Sequence, residues 1–304
     1  MSEAGQEPGR PILLTAPDEL RGVTQEWRCQ GHRVGLVPTM GALHRGHMAL
    51  VAAARAAADR VVVSIFVNPL QFGPGDDYQR YPRNQAEDLL ALAAAGVDAA
   101  YLPPTEAVYP NGFATSITVD SASADRWEGH FRPGHFQGVA VVVAKLFAAT
   151  GPCSAFFGEK DAQQAALVTR LARDIDLGVQ VVVCPVVRDP DGLALSSRNA
   201  YLDGSQRGAA LCLNRALRAA ALAFREGSRS GRHLSCLASQ VIESEPAAKL
   251  DYAAVVDPIS FVPQVEADGS SRLILAARVG GVRLLDTGVL AELATWGASG
   301  QDRA

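Results

Sequence analysis

The first 185 residues alternate between two hydrophobic patterns. Short β-branched runs such as residues 61–67 (VVVSIFV) are typical of strands buried on both faces of a parallel sheet. Longer stretches with apolar residues three or four positions apart, often rich in alanine, predict helices. Strand, glycine loop, helix and strand follow one another within residues 34–67, which indicates a βαβ unit.

The same alternation continues along this part of the chain. Strands are predicted at residues 34–40, 61–67, 99–102, 155–157 and 180–184, and helices at 47–59, 85–95, 138–149 and 162–173. This order indicates an α/β fold with a doubly wound parallel sheet. Such sheets bind ligands at the carboxyl ends of their strands.

The pattern changes after residue 185. Helices at 211–224 and 233–243 precede short strands at 252–256, 272–277 and 282–285, with Gly280-Gly281 as a hairpin turn. A run of helices followed by strands indicates a smaller α+β domain. We therefore predict domains at residues 1–185 and 186–304, the second ending in a disordered tail of about ten residues.

Composition narrows the class of protein. The chain has 304 residues, 20% of them charged, and a net charge of −4. No apolar run approaches the roughly 20 residues that span a bilayer, and the polar residues 1–10 lack the apolar core of a signal peptide. We expect a soluble protein with no membrane partner. A pI near 5.9 without a long basic run also disfavours nucleic-acid binding.

Five widely spaced cysteines form no Cys-x-x-Cys pair. This usage fits a reducing compartment and argues against a disulfide framework or a structural zinc site. We expect a cytoplasmic location.

The first motif with candidate chemistry follows the strand at 34–40. It reads Met40-Gly-Ala-Leu-His44-Arg-Gly-His47 and leads into a helix. Free N–H groups at a helix N-terminus attract phosphates, and two imidazoles three residues apart can face one anion. The motif predicts a nucleoside triphosphate site. A metal pair and two ordinary surface histidines are the alternatives, the first weakened by the lack of a third ligand nearby.

Two further loops carry suitable residues. Phe157-Gly-Glu-Lys160-Asp161 follows a strand, and its lysine is one of only three in a chain that otherwise uses arginine. Asp161 is suited to ribose hydroxyls or to helix capping. Leu195-Ser-Ser-Arg198-Asn199 offers two hydroxyls and a guanidinium suited to a lid loop, although a simple helix cap would also explain the serines.

Three other polar segments lie among apolar neighbours. Gln71 lies just beyond the strand at 61–67, and Gln163-Gln164 opens the helix after Lys160, so these amides are candidates for orienting a small ligand. The aromatic and polar segment 127–136 is interpreted as a loop that covers a pocket or as an irregular surface turn.

Together these segments resemble the pantothenate synthetase family. The matching motifs are Pro38–His47, Ser64–Gly73, Tyr81–Arg83, Arg132–Phe136, Phe157–Asp161 and Ser196–Asn199. Six motifs in order at family-like spacing are specific, whereas one His-x-x-His would not be. The likeness runs from about residue 34 to 203 and continues more weakly to about residue 286.

The resemblance implies an enzyme that condenses (R)-pantoate with β-alanine in an ATP-dependent reaction, through a pantoyl adenylate, releasing AMP and pyrophosphate. It also implies a Rossmann-like domain of the class I synthetase and nucleotidyltransferase type, a small C-terminal lid domain, Mg²⁺ and a homodimer. No dedicated protein metal ligands are expected.

The resemblance further assigns individual residues. ATP-binding positions are Met40, Gly41, Ala42, Leu43, His44, Arg45, Gly46, His47, Gly158, Glu159, Lys160, Asp161, Val187, Leu195, Ser196, Ser197 and Arg198, with Val187 meeting adenine through its backbone. Gln71 and Gln164 bind pantoate, and Gln71 also lies near the β-alanine site. Catalytic roles fall to His44, His47, Lys160, Ser196, Ser197 and Arg198, with His47 as proton donor.

Three positions depart from the family pattern. Leu195 replaces a usual Met, which is a mild, volume-conserving change, and Asn84 stands where Thr is common. Trp127 replaces a usual Leu and leaves the packing of its loop open.

Two other classes of protein remain as alternatives. Another nucleotidyltransferase of the same fold would share the histidine motif but lack the paired glutamines. A non-catalytic module descended from an enzyme should have lost His44, His47, Lys160 or Arg198, and all four are present. A tRNA-charging enzyme is disfavoured because no basic anticodon-binding domain follows.

Overall fold

Six parallel strands form the larger sheet of the computed structural model, which describes residues 9–119 and 124–296. The strands are β1 (Ile12–Leu14), β2 (Val34–Thr39), β3 (Arg60–Ile65), β4 (Ala99–Tyr101), β5 (Cys153–Gly158) and β6 (Val179–Cys184). They lie in the order β1-β4-β3-β2-β5-β6, so the predicted α/β class with a doubly wound parallel sheet is confirmed.

The strand order reverses between β2 and β5. From β2 the chain proceeds outward through β3 and β4, and it then returns to place β5 and β6 on the other side of β2. Met40 and Gly158 stand at the carboxyl ends of these two adjacent strands. Ligands of open α/β sheets bind at such a switch point, so the topology places two predicted motifs where binding is expected.

The chain up to residue 174 forms seven of the described helices. They are α1 (Pro17–Cys29), α2 (Arg45–Ala57), α3 (Gln85–Ala94), α4 (Thr105–Val108), α5 (Glu128–Phe131), α6 (His135–Thr150) and α7 (Ala162–Asp174). Because successive strand residues point to opposite faces, the sheet has a core on each side. Leu36 joins the core that contains Phe147 of α6, while its neighbour Val37 joins the core that contains Leu92 of α3.

A second, antiparallel sheet follows in the chain. Its strands are β7 (Ala248–Val256), β8 (Arg272–Val279) and β9 (Val282–Val289), and its helices are α8 (Gly204–Ala210), α9 (Cys212–Arg225), α10 (Gly231–Glu243) and α11 (Leu290–Leu293). Leu217, Leu234 and Leu275 are fully buried in the core between them. The predicted α+β character and the Gly280-Gly281 hairpin turn are confirmed.

Several elements escaped the sequence analysis. Strand β1 has only three residues, and α1 buries only Leu20, Thr24 and Trp27, so neither shows a clear hydrophobic period. The interpretation of 127–136 as loop or irregular turn was wrong in part. Short helix α5 forms there, and α6 begins at His135 rather than at 138, directly after Gly134, whose φ is +81°.

The described chain separates into two units. The first contains residues 9–119, Arg132–Gly158 and Gln164–Cys184, and the second contains 124–131, Glu159–Gln163 and 185–296. Two segments that precede residue 185, one of them including α5, therefore pack with the second unit. The polar N-terminus to residue 8 and most of the predicted C-terminal tail, from 297, lie outside the described residues.

None of the helices in the two described ranges is both long and apolar enough to cross a bilayer.

Candidate active site

A buried carboxylate shapes the loop between β2 and α2. The backbone N–H groups of Ala42 and Leu43 donate to the two carboxylate oxygens of Asp88 at 2.9 and 2.7 Å. Gly41 has φ +81°, and a Cβ there would lie 3.0 Å from an Asp88 oxygen and from Ile65. Asp88 was not predicted. The sequence signal that could have revealed Asp88 was an acidic residue on the otherwise apolar face of α3. In the structure this residue is 3% exposed.

His44 and His47 form a stacked pair at the start of α2. Nδ1 of His44 accepts from the backbone N–H of Gly46 at 3.1 Å, and Nδ1 of His47 accepts from the His44 N–H at 3.4 Å. The ring centroids are 4.0 Å apart and the planes differ by 26°. Since each Nδ1 is an acceptor, the proton of each neutral ring lies on Nε2. Both side chains therefore present Nε2–H donors at a helix N-terminus, where anions are favoured.

The Gln71 side chain is buried and fixed in orientation. Its Nε2 lies 3.1 Å from Sδ of Met40, and its Oε1 accepts from Nδ2 of Asn68 at 3.1 Å. Asn68 also donates to the carbonyl of Gly138 and accepts from the Tyr109 hydroxyl at 2.7 Å. Burial raises the pKa of Tyr109, so its hydroxyl remains a donor. The first unit thus brings predicted residues Met40 and Gln71 together.

Arg132 and His135 hold the Gln71 backbone. Nη2 of Arg132 and Nδ1 of His135 both donate to the Gln71 carbonyl, at 3.1 and 2.9 Å. Nε2 of His135 then accepts from Arg132 at 3.2 Å, which fixes the histidine tautomer. A Cβ at Gly138 would overlap the Leu70 carbonyl, so glycine permits this close approach of α6. Residues 132–138 therefore support the Gln71 turn.

The two adjacent glutamines at the start of α7 differ in their surroundings. Gln163 is buried, accepts from the Glu128 N–H at 3.0 Å and donates to the Arg126 carbonyl at 2.9 Å. Its amide therefore secures the segment around α5. Gln164, the predicted substrate ligand, is half-buried in the first turn of α7.

In the second unit, a one-turn 3₁₀ helix at Glu159–Asp161 carries the predicted phosphate-binding lysine. Nζ of Lys160 donates to Asp161 at 3.1 Å. The Glu159 carboxylate accepts from Arg272 of β8 at 2.7 Å, and both side chains are less than one-fifth exposed. Glu159 thus faces the antiparallel sheet of its own unit.

The predicted lid loop is tied to Val187. The Leu195 N–H donates to the Val187 carbonyl at 2.9 Å. Ser196 precedes a 3₁₀ helix at Ser197–Tyr201, and its hydroxyl accepts from the Arg198 N–H at 3.3 Å. The backbone therefore links the predicted adenine-contacting position to the serines and arginine.

Trp127 is accommodated within the second unit. Its Nε1–H donates to the carbonyl of Phe261 at 2.9 Å, and its ring lies 5.4 Å from that of Tyr252. The Tyr252 hydroxyl donates to Glu128 at 2.9 Å, and Arg283 also pairs with Glu128. The Trp127 side chain, which stands where leucine is usual in the family, is therefore held by specific contacts.

The predicted residues are divided between the units. The first unit holds Met40, Gly41, Ala42, Leu43, His44, Arg45, Gly46, His47, Gln71, Gly158 and Gln164, and the second holds Glu159, Lys160, Asp161, Val187, Leu195, Ser196, Ser197 and Arg198. A doubly wound sheet with candidate ligand-binding loops at its switch point defines an α/β protein of the type that binds nucleotides and other ligands at the carboxyl ends of its strands.

Comparison with known proteins identifies the family. The model of the pantoate-β-alanine ligase family matches residues 12–289. The chain is 49% identical over 290 residues to pantothenate synthetase of Rubrobacter xylanophilus, covering 91% of this chain and 98% of that protein. It is 50% identical over 259 residues to that of Acidobacterium capsulatum, covering 85% and 86%. The chain therefore belongs to the pantoate–β-alanine ligase family, as its motifs predicted.

Solved structures agree with this assignment. Pantothenate synthetase from Thermus thermophilus superposes with a TM-score of 0.87 at 44% identity, covering 92% of this chain and 99% of that one. The pantoate-β-alanine ligase from Francisella tularensis complexed with β-γ ATP and β-alanine gives a TM-score of 0.76 at 34% identity, covering 92% and 98%.

Proposed function

We propose that this enzyme condenses (R)-pantoate with β-alanine to give pantothenate, converting ATP to AMP and pyrophosphate. The observation that carries the proposal is the near-complete match to pantothenate synthetases, 98% of a relative at 49% identity. The buried Gln71 amide and the His44–His47 donor pair support it, because they suit a small polar substrate and phosphate oxygens respectively.

In the first step, a carboxylate oxygen of pantoate attacks the α-phosphorus of ATP. The bond from that phosphorus to the bridging oxygen breaks, and pyrophosphate leaves with the electron pair. Donors aimed at the developing charge are the largest contribution expected from the protein. His44, His47, Lys160 and Arg198 are proposed for this role, with His47 as proton donor. The Nε2–H assignment supports hydrogen-bond donation by both rings, and the proton-donor role of His47 is proposed from the family resemblance.

In the second step, the β-alanine amine attacks the acyl carbon of pantoyl adenylate. The new C–N bond replaces the C–O bond to AMP, and the amine loses a proton. The side chains of Gln71 and Gln164 are proposed to hold pantoate so that its carboxyl group stays in line for both steps. Fixation of the Gln71 amide by Asn68 supports a positioning role.

We propose that Mg²⁺ enters with ATP as part of the substrate. Within residues 9–119 and 124–296, no group of three His, Cys, Asp or Glu side chains is arranged to hold a metal. Magnesium is commonly bound by substrate phosphates with only one or two carboxylates. A metal carried by the nucleotide is therefore consistent with the side chains present.

The remaining expectations are also proposals. Residues 1–185 would act as the ATP- and pantoate-binding domain and 186–304 as a lid domain in which Ser196, Ser197 and Arg198 close on the phosphates. A homodimeric, cytoplasmic enzyme is proposed from the family resemblance. The five cysteines, all free thiols, are compatible with a reducing compartment.

The test is release of pyrophosphate and AMP by purified protein with Mg-ATP, adding pantoate and β-alanine separately and together. Pantoate alone should give a burst of pyrophosphate, and both substrates should give steady AMP and pantothenate. If ATP binds but neither mixture reacts, the proposed substrates are wrong, and other small carboxylic acids should be screened.

A further inference from the structure

A continuous polar network crosses the β8–β9 pair of the second unit. At one end Glu159 accepts from Arg272 at 2.7 Å. Nη1 of Arg272 contacts Oγ1 of Thr287 at 3.4 Å, and the Thr287 N–H donates to Asp286 at 2.7 Å. Asp286 accepts two hydrogen bonds from Arg188, at 2.7 and 2.8 Å. The network thus joins the segment before Lys160 to the residue after Val187.

The network is shielded from water along its length. Side-chain exposure is 17% for Glu159, 11% for Arg272, 5% for Arg188 and 2% for Asp286. Charged hydrogen bonds in such surroundings are strong, and removing one partner leaves a costly unpaired charge. The ends of the network are therefore held at fixed points on one sheet.

Each end borders a segment that carries predicted ATP ligands. Glu159 directly precedes Lys160 in the 3₁₀ helix, so fixing its carboxylate limits rotation of that single turn. Arg188 pairs with Ala194 in an isolated β-bridge, next to the Leu195–Val187 hydrogen bond. The two segments follow β5 and β6, which are paired with Gly158 opposite Cys184. Beyond these strand ends, the side-chain network links Glu159 to Arg188 through the antiparallel sheet.

We propose that Glu159 and Arg272 are positioning residues that set the location of the Lys160 ammonium group, and that the network through Thr287 and Asp286 keeps Lys160 in register with the Val187–Arg198 segment. Glu159, assigned to ATP binding by family resemblance, would then act through Arg272 rather than on the nucleotide. This inference rests on the proposed role of Lys160 in binding ATP.

The first test observes Lys160 without any substrate. The chain contains only three lysines, Lys145, Lys160 and Lys249, so ¹³C-methylated lysine side chains give an NMR spectrum that Lys-to-Arg variants can assign. Arg272→Met should shift or broaden the Lys160 signal and leave Lys145 unchanged. An unchanged Lys160 signal in folded Arg272→Met protein would overturn the proposal.

The matched control is Arg278→Met on the same strand. Arg278 is 45% exposed and lies opposite Lys249 in the β7–β8 register. This variant should perturb Lys249 and leave Lys160 unchanged, so it shows that the spectrum reports local contacts. Arg272→Gln, which adds no further lysine to the spectrum, replaces Arg272→Met if the latter does not fold, and it should also shift or broaden the Lys160 signal.

The second test measures ATP binding by titration calorimetry. Arg272→Met should weaken ATP binding by about tenfold, by analogy with losing a residue that orients a metal ligand. In the Lys160→Ala background the same change should have no further effect, whereas additive losses would show that Arg272 acts independently of Lys160. Pantoate and β-alanine are absent from both tests. A wrong assignment of the acid or amine substrate therefore affects neither test. Failure of the wild type to bind ATP would refute the proposed function, and the NMR test would still decide whether Arg272 sets the location of the Lys160 ammonium group.

Discussion

The two units secure their predicted nucleotide-binding segments by different means. In the first, the Met40–His47 loop is shaped by backbone N–H groups that donate to one buried carboxylate, Asp88, and by histidine acceptors at the start of α2. In the second, the Lys160 and Val187 segments are anchored through buried arginine–carboxylate pairs on an antiparallel sheet.

The difference follows from the local backbone of each segment. A loop between a strand and a helix already has amides aimed at its concave side, so one acceptor can satisfy several of them. In irregular segments that lie against a sheet face, the backbone amides have no such shared direction. Long side chains with bidentate geometry, such as Arg188, can reach across and fix them.

The largest effect is expected from breaking the buried Arg188–Asp286 pair of the second unit. Arg188→Met leaves the Asp286 carboxylate buried without its partner and should lower the free energy of unfolding by about 3–5 kcal/mol. Urea denaturation followed by circular dichroism measures the change. The double variant Arg188→Met/Asp286→Leu should recover much of the loss, because no unpaired charge remains. Equal stability of the wild type and Arg188→Met would contradict the anchoring role.

The next largest effect is expected from changing the His44–His47 pair of the first unit. His47→Ala removes one donor and should slow pyrophosphate release on the order of 10²–10³-fold, with little change in melting temperature. His233→Ala, on the exposed side of α10, serves as the matched control and should retain full activity. Unchanged turnover in His47→Ala would refute its proposed role.

Removing the loop acceptor should have an intermediate effect. Asp88→Ala leaves the N–H groups of Ala42 and Leu43 without their acceptor, which should cost about 1–3 kcal/mol of unfolding free energy and weaken ATP binding. Its exposed neighbour Glu87 provides the control, since Glu87→Ala removes a charge from the same helix turn. If both variants lose stability equally, the loss reflects helix charge rather than the loop.

The smallest effect concerns an exposed ion pair of the first unit. Hydrogen bonds from Arg33 hold the pKa of Asp59 well below its usual range. A carboxyl with a lowered folded-state pKa stabilises the protein above its unfolded pKa of about 3.9, and this contribution is lost as the pH falls further. Asp59→Asn should therefore slightly lower the melting temperature at pH 7. The difference from the wild type should shrink below about pH 4, and a difference independent of pH would contradict this origin.

Sequence reasoning located the elements whose signals are local. The β-branched run at 61–67 predicted β3, and the glycine loop with two histidines predicted the turn into α2. It missed α1, whose buried face has only three residues, and it missed Asp88, 46 residues from Ala42 in the chain. A lone acidic residue on a helix does not reveal which distant amides it will meet.

The family, the succession along the chain of β2 to β6 with helices α2, α3, α6 and α7, and the residues suited to nucleotide chemistry were all predictable without a structure. Hydrophobic period and motif spacing are properties of contiguous residues. Other features are visible only in the folded chain. Glu159 faces Arg272, and Gln163 rather than Gln164 secures the backbone around α5. Residues 124–131 and Glu159–Gln163 pack with the second unit. These pairings join residues far apart in the chain, and only folding determines which of many arginines and carboxylates become neighbours.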